Sequence, residues 1–281
     1  MKVDFIIVGA QKCGTTTLYD ILNTHPLLVG SSKKEPNFFS ENANWRESIS
    51  AYEALFTPQY NALYFEASTS YTFYPVLNLN IWDDIYQYNP NMKFIYIVRN
   101  PIDRVVSSYM HTFERGYTDK SIEDAICQDM FLTTTSRYYT QIKPYITRFG
   151  RDRVLILDFD DLSNDIRKVA HVMADFLEVD HDQFPAIDDI RSNVSLSGKK
   201  RHHKFEKPAL HLKLLKTLAP KLWEMLSDNS SRTFERKPVL EKEYREVIVR
   251  MVMSDIKPLE ELMGKDLSSW YDGVQEYSIQ A

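Results

Sequence analysis

Residues 3–26 read VDFIIVGAQKCGTTTLYDILNTHP: an apolar run, a glycine turn and an amphipathic segment in succession. "VDFIIV" is short, apolar and β-branched, which predicts a buried strand over residues 3–8. Thr15 to Thr24 reads as a helix, because Leu18, Ile21 and Leu22 share one face and Pro26 lies just past its end. A strand, a glycine-rich turn and a helix N-terminus together make an anion site. Backbone N–H groups and the positive end of the helix dipole converge there. Thr15, Thr16 and Thr17 add hydroxyl donors, and Lys12 adds a movable positive charge.

The same alternation continues downstream. "ALYFEAS" (62–68) and "MKFIYIVR" (92–99) read as strands. In "NPIDRVVSSYMHTFER", Ile102, Val105, Val106, Tyr109, Met110 and Phe113 form a helical stripe. Asn100 suits the N-cap and Pro101 the first helical position. The stripe predicts that Arg104, Ser107 and His111 lie off the buried face. "DRVLILDFDDL" (152–162) gives a further strand, with a helix beginning near Ser163 and continuing over 164–178. Residues 188–207 are polar and basic and read as a loop, and the chain from Pro208 onward reads as mostly helical. Strands alternating with helices predict an α/β fold with a central parallel sheet flanked by helices. With no domain boundary in view, residues 1–281 are read as a single domain. Residues 1–205 form its α/β core and 206–281 a helical C-terminal elaboration.

At 281 residues the chain is long enough to bury a substantial core. Its net charge of −5 argues against a dedicated nucleic-acid binder. Two cysteines, Cys13 and Cys127, give neither a disulfide framework nor a zinc pattern. No apolar run approaches the ~20 residues of a membrane span. The N-terminus enters a strand without a signal-peptide layout, so the cytoplasm is the expected compartment. Oligomeric state leaves no trace in the sequence.

Gly9 and Gly14 have the spacing of a nucleotide-triphosphatase loop, G-x-x-x-x-G-K-[ST]. Here Thr15 follows Gly14, and the lysine stands two residues before that glycine. A triphosphate site also needs magnesium, held by a loop hydroxyl and a strand-end aspartate. Asp158, Asp160 and Asp161 leave that possibility open, while the displaced lysine suits a less charged donor than ATP.

"VGAQKCGTTTLYDILNTHP" closely resembles the 5′-phosphosulfate loop of sulfotransferases that use 3′-phosphoadenosine 5′-phosphosulfate (PAPS). The family's second signature, a strand followed by R-x₇-S, is matched by "YIVRNPIDRVVSSYMH", with Arg99 and Ser107 in the key positions. "KEPNFFS" (34–40) is similar to a segment of the heparan-sulfate and related carbohydrate sulfotransferases. "SRYYTQIKPYITRFG" (136–150) resembles the family's tyrosine-bearing helix, and "SLSGKKRHHKF" (195–205) its late basic cofactor loop. The matches run in family order from residue 5 to about residue 205.

The resemblance implies a P-loop-like nucleotide-binding fold and sulfuryl transfer from PAPS to an acceptor hydroxyl, most naturally of a carbohydrate, with no metal ligands. It assigns cofactor contacts to Lys12, Cys13, Gly14, Thr15, Thr16, Thr17, Arg99, Ser107, Tyr138, Lys199, Lys200 and Arg201. Lys12 is also placed to stabilise charge on the leaving phosphate. Glu35 takes the place of the general base, with Phe38 and Phe39 packing its segment onto the core. His111, four residues beyond Ser107, is the alternative base, since a histidine stands there in some relatives. Cys13 reads as a small space-filler, with a reactive thiol as its alternative. Ala67 replaces a lysine that contacts substrate in some heparan-sulfate enzymes. An ATP-dependent small-molecule kinase and a non-catalytic nucleotide-binding module are the competing readings.

Overall fold

The computed structural model describes residues 2–76, 79–185, 187, 190, 234 and 236–272. The basic segment 195–205, with Lys199, Lys200 and Arg201, and the run from Pro208 to residue 233 lie outside the described residues.

Five strands form one parallel sheet: β1 (Phe5–Gly9), β2 (Leu28–Gly30), β3 (Leu63–Glu66), β4 (Lys93–Val98) and β5 (Val154–Asp158), ordered β2-β3-β1-β4-β5. Every residue of β1 is buried, as a central strand covered on both faces requires. The helices are α1 (Thr15–Leu22), α2 (Phe38–Glu41), α3 (Ile49–Glu53), α4 (Ile81–Tyr88), α5 (Pro101–Glu114), α6 (Ile122–Gln128), α7 (Met130–Thr134), α8 (Tyr138–Phe149), α9 (Phe159–Asn164), α10 (Ile166–Leu177) and α11 (Lys242–Met263). The parallel α/β architecture read from the sequence is therefore present, and α11 supplies a long C-terminal helix.

Local chemistry sets the boundaries that matter for the site. The Asn100 side chain accepts from the Ile102 N–H, and Pro101 opens α5, as the sequence predicts. The expected helix start near Ser163 comes earlier. Asp158 ends β5 and caps α9 at once by accepting from the Asp160 N–H, and Asp165 then caps α10. α8 receives its cap from a distant residue. Asp255 on α11 accepts the Thr140 N–H at 2.6 Å and pairs with Arg137 at 2.9 Å. The C-terminal helix thus satisfies orphan donors in the first turn of α8.

One large apolar core surrounds the sheet, and a second lies apart from it. The second gathers Val105, Val106, Tyr109 and Met110 of α5 with Ile122, Ala125 and Ile126 of α6, Leu132 of α7 and Ile248 of α11. The stripe on α5 therefore packs against helices, while its opposite side turns toward the β1–α1 loop. No helix among the described residues is long and apolar enough to cross a membrane.

Candidate functional site

Parallel strands carry their chemistry at their C-terminal ends. The site is built at all five ends: Gly9 and the loop after β1, the 31–37 segment after β2, Glu66 at β3, Arg99 just beyond β4, and Asp158 with Phe159 at β5. β1 lies between β3 and β4, so the loop after it lies at the point where the strand order reverses.

The loop is shaped by two glycines. At Gly9 the β1–β4 register slips, and an added Cβ would collide with Thr72 Oγ1 and the Tyr96 ring. Gly14 has φ 97°, and an added Cβ there would lie 3.1 Å from Leu162 and Phe159 of α9. Only glycine combines that conformation with that approach. Between them Lys12 is left-handed, with φ 67°. Gly14 caps α1, so the N–H groups of the helix's first turn open toward the loop from Thr15 onward. Thr15 is buried, whereas Thr16 and Thr17 are half-buried.

Arg99 joins the loop from β4. Its Nη1 donates to the Lys12 carbonyl at 3.4 Å, and its guanidinium stacks 4.2 Å over the Phe159 ring. Its buried Nε has no hydrogen-bond partner among the described residues. Burial lowers the pKa of Lys12. The Glu114 and Glu35 carboxylates favour its charge, and the Arg115 and Arg99 cations oppose it. Lys12 and Glu35 thus lie within electrostatic reach of each other.

Beneath the loop the structure places Tyr138 and Cys13 and revises the reading of α5. Tyr138, expected among the cofactor contacts, is 1% exposed, and its hydroxyl donates to the Arg99 carbonyl at 2.8 Å. It braces the loop from below. Cys13 packs its sulfur 3.8 Å from the same hydroxyl, and burial pushes its thiol up to about 11. The space-filler reading holds and the reactive thiol does not. Arg104 and Ser107, expected off the buried face of α5, are 0% and 6% exposed. The helix is covered on both sides, by the helical cluster on one and the loop on the other. Arg104 Nε and Nη2 donate to Ser136 Oγ and the Leu132 carbonyl. The neighbouring Ser108 reaches Gln11 at 3.5 Å. His111, in the last turn of α5, is half-buried.

The other side of the site carries two carboxylates, Glu35 and Glu66. Glu35 is 42% exposed and pairs with Lys34 at 2.7 Å. Its segment is pinned to the end of β3: Ala67 N–H donates to the Lys34 carbonyl at 3.0 Å, and Asn37 N–H to Ser68 Oγ at 2.9 Å. Phe38 stacks on Tyr52 at 4.4 Å, and Phe39 packs edge-on against Trp45, Tyr52 and Tyr71. Both phenylalanines hold the segment on the core, as expected. Below it Glu66 is fully buried, and its Oε1 accepts from the Tyr52 hydroxyl at 3.2 Å. Burial pushes the Glu66 carboxyl up to about 7, against hydrogen bonds from Ser68, Tyr71 and Tyr52 that favour its charge, and the like charge of Glu35 adds to the rise.

Sequence reasoning passed over Glu66 and Phe159, and read Arg104 only as a residue off the buried face. Glu66 carries no signal beyond its place at a strand end. The signal for Arg104 was present: a lone cation inside an otherwise apolar and small-residue run, "RVVSSYM".

A family model described as "Sulfotransferase domain" matches residues 2–213. The chain belongs to the sulfotransferase domain family. Among curated relatives, the chain is 32% identical over 110 residues to mouse heparan sulfate glucosamine 3-O-sulfotransferase 5, covering 39% of the chain and 30% of the relative. It is 24% identical over 215 residues to the bifunctional heparan sulfate N-deacetylase/N-sulfotransferase 1 of Caenorhabditis briggsae, covering 68% of the chain and 24% of that protein. The match thus spans less than a third of either relative. A crystal structure of a sulfotransferase from Alicyclobacillus acidocaldarius superimposes with a TM-score of 0.69 at 24% identity, covering 96% of this chain and 99% of that one, which shows a shared fold.

Proposed function

We propose that the chain transfers the sulfuryl group of PAPS to an acceptor hydroxyl of a carbohydrate or glycoconjugate. One observation supports this most strongly. Lys12, Arg99 and Arg104 gather at one loop, and none has an ion-pair partner among the described residues. Together with the partnerless Arg99 Nε, this leaves the loop ready for a ligand with more than one phosphate.

When bound, PAPS supplies an activated sulfuryl group on a phosphate leaving group. Lys12 and the N–H groups of the first turn of α1 hold the 5′ end and stabilise the charge that grows on the bridging oxygen. Arg99 and Ser107 hold the 3′-phosphate, which distinguishes this donor from ATP. Glu35 would accept the acceptor hydroxyl's proton at a carboxylate oxygen as that hydroxyl takes the sulfuryl group, with the 5′-phosphate as the leaving group. His111 is the alternative acceptor of that proton. The carbohydrate acceptor rests on the "KEPNFFS" segment and on the named substrates of the curated relatives.

A kinase reading requires an acidic side chain free to hold magnesium at a strand end. Of the three aspartates, Asp158 and Asp161 are both engaged by Lys265, at 2.6 and 2.8 Å, so that reading narrows to Asp160. A screen with sulfur-labelled PAPS over sugars, lipids, phenols and peptides tests the proposal. Label transferred to a saccharide is expected. Transfer to phenols or lipids alone would move the acceptor class, and no transfer to any acceptor would favour a non-catalytic module.

A further inference from the structure

Arg104 heads the largest side chains buried outright among the described residues. Among the described residues its Nη1 has no hydrogen-bond partner and no carboxylate forms an ion pair with it. The groups whose charge or polarity bears on it are Tyr138, Cys13 and Tyr96 from the loop and its brace, and Arg99, a like charge. A guanidinium does not shed its proton inside a protein. A buried cation without a counterion is among the least favourable placements a fold contains.

The position explains the arrangement. α5 shows its apolar stripe to the helical cluster, so the side of α5 facing the loop is where a cation acts on whatever the loop holds. Arg104 is within electrostatic range of Cys13, which stands between Lys12 and the Gly14 cap of α1, and of Tyr138, the tyrosine that braces Arg99. In such a low-dielectric setting a charge acts across more than contact distance and is little screened by salt.

We propose that Arg104 is a positioning residue whose buried charge is the counterion of the bound cofactor's phosphates: it strengthens anion binding through the loop without touching the ligand. This rests on the reading of the loop as a phosphate site. Lys12 and Arg99 make the contacts, and Arg104 sets the potential into which the phosphates bind. The ligand-free protein carries the cost of that unpaired charge, and the ligand removes it.

The test compares wild type with Arg104→Lys, Arg104→Gln and Arg104→Met. Each is titrated calorimetrically with 3′-phosphoadenosine 5′-phosphate (PAP) at about 0.05 and 0.5 M NaCl, with unfolding temperatures measured with and without it. The Gln and Met variants are expected to bind at least about tenfold more weakly at both salt concentrations, and Arg104→Lys within about threefold of wild type. The rise in unfolding temperature on adding PAP should shrink in the two uncharged variants only. If Arg104→Met binds as wild type does, or Arg104→Lys is as weak as Arg104→Met, the residue is a hydrogen-bonded strut and the proposal fails. A wild-type protein that does not bind PAP refutes the loop reading itself, a separate result. Should the uncharged variants not fold, the ¹⁵N-labelled Nε–H of Arg104 in wild type decides. A shift of that resonance on adding PAP is expected, and its constancy overturns the proposal.

Discussion

The two halves of the site are built in opposite ways. The loop between β1 and α1 is cationic and closed in, with Tyr138, Phe159 and Leu162 packed against it and Arg104 within electrostatic range. The segment after β2 carries a proton acceptor that reaches solvent: the Glu35 side chain, paired with Lys34, is 42% exposed, and Glu66 is buried below it. The first half is fixed by the core of the sheet, and the second is a loop laid over aromatic rings. Sulfuryl transfer demands that contrast: a polyanionic donor held by preorganised positive charge, and a neutral hydroxyl from which a proton must be taken.

The contrast breaks most visibly at Glu35. Glu35→Gln keeps the shape and removes proton-accepting power, so kcat at saturating acceptor should fall by ~10²–10⁴-fold. PAP affinity should stay near that of wild type, because the carboxylate serves the acceptor. A variant keeping more than about a tenth of wild-type kcat, well above that range, moves the role to His111, and His111→Ala then becomes the more damaging change. On the cationic side, Lys12→Ala should lower kcat by ~10²-fold while the fold survives, as when one donor to a developing anion is lost. Steady-state kinetics alongside circular dichroism separate the two effects.

Glu66 sharpens the comparison through pH. Its carboxyl is protonated in the folded protein up to about 7 and titrates near 4.5 when unfolded. The folded state therefore holds the extra proton between these values, and stability falls as pH rises through that window, by up to about 3 kcal/mol. Glu66→Gln should remove this slope. Urea unfolding of both proteins at pH 5 and pH 7.5 measures it, and parallel pH dependences would show that Glu66 is better solvated than its burial implies. The smallest effect is expected at Tyr138. Tyr138→Phe deletes the hydroxyl that holds the Arg99 carbonyl and should cost about 1–2 kcal/mol of stability. It should weaken PAP binding modestly, while the Glu35 side of the site keeps its pH profile.

Much of the cationic half was legible in the sequence because it is local. Gly9, Lys12, Gly14 and the three threonines lie within nine residues, and the strand-to-helix periodicity around them is strong. Asn100 and Pro101 announced the start of α5, and the cap and the helix are there. What the sequence hid depends on contacts distant along the chain. One apolar stripe on α5 suggested one buried face, yet Arg104 is enclosed because Leu132 and Ser136 close over it. Tyr138 read as a cofactor contact, and motif position says nothing of the Arg99 carbonyl that its hydroxyl holds. The three-residue strand β2 is too short for any period to show. Its pairing to β3 nevertheless carries Glu35 to the site. Glu66 looked like an ordinary strand-end carboxylate, and only the ring of Tyr52, Tyr71 and Tyr145 around it changes its chemistry.

The claim on which the rest depends is that the cationic half is matched to two separated phosphates of one nucleotide. Titration calorimetry with PAP and with ADP, each with and without EDTA, tests it. PAP should bind at least about tenfold more tightly than ADP, a difference of roughly 1.4 kcal/mol that one charge-assisted contact to the 3′-phosphate supplies. EDTA should leave the PAP affinity unchanged. Equal affinities for the two nucleotides, or binding that disappears with EDTA, would contradict the assignment of Arg99 and Ser107 and favour a magnesium-dependent triphosphate site.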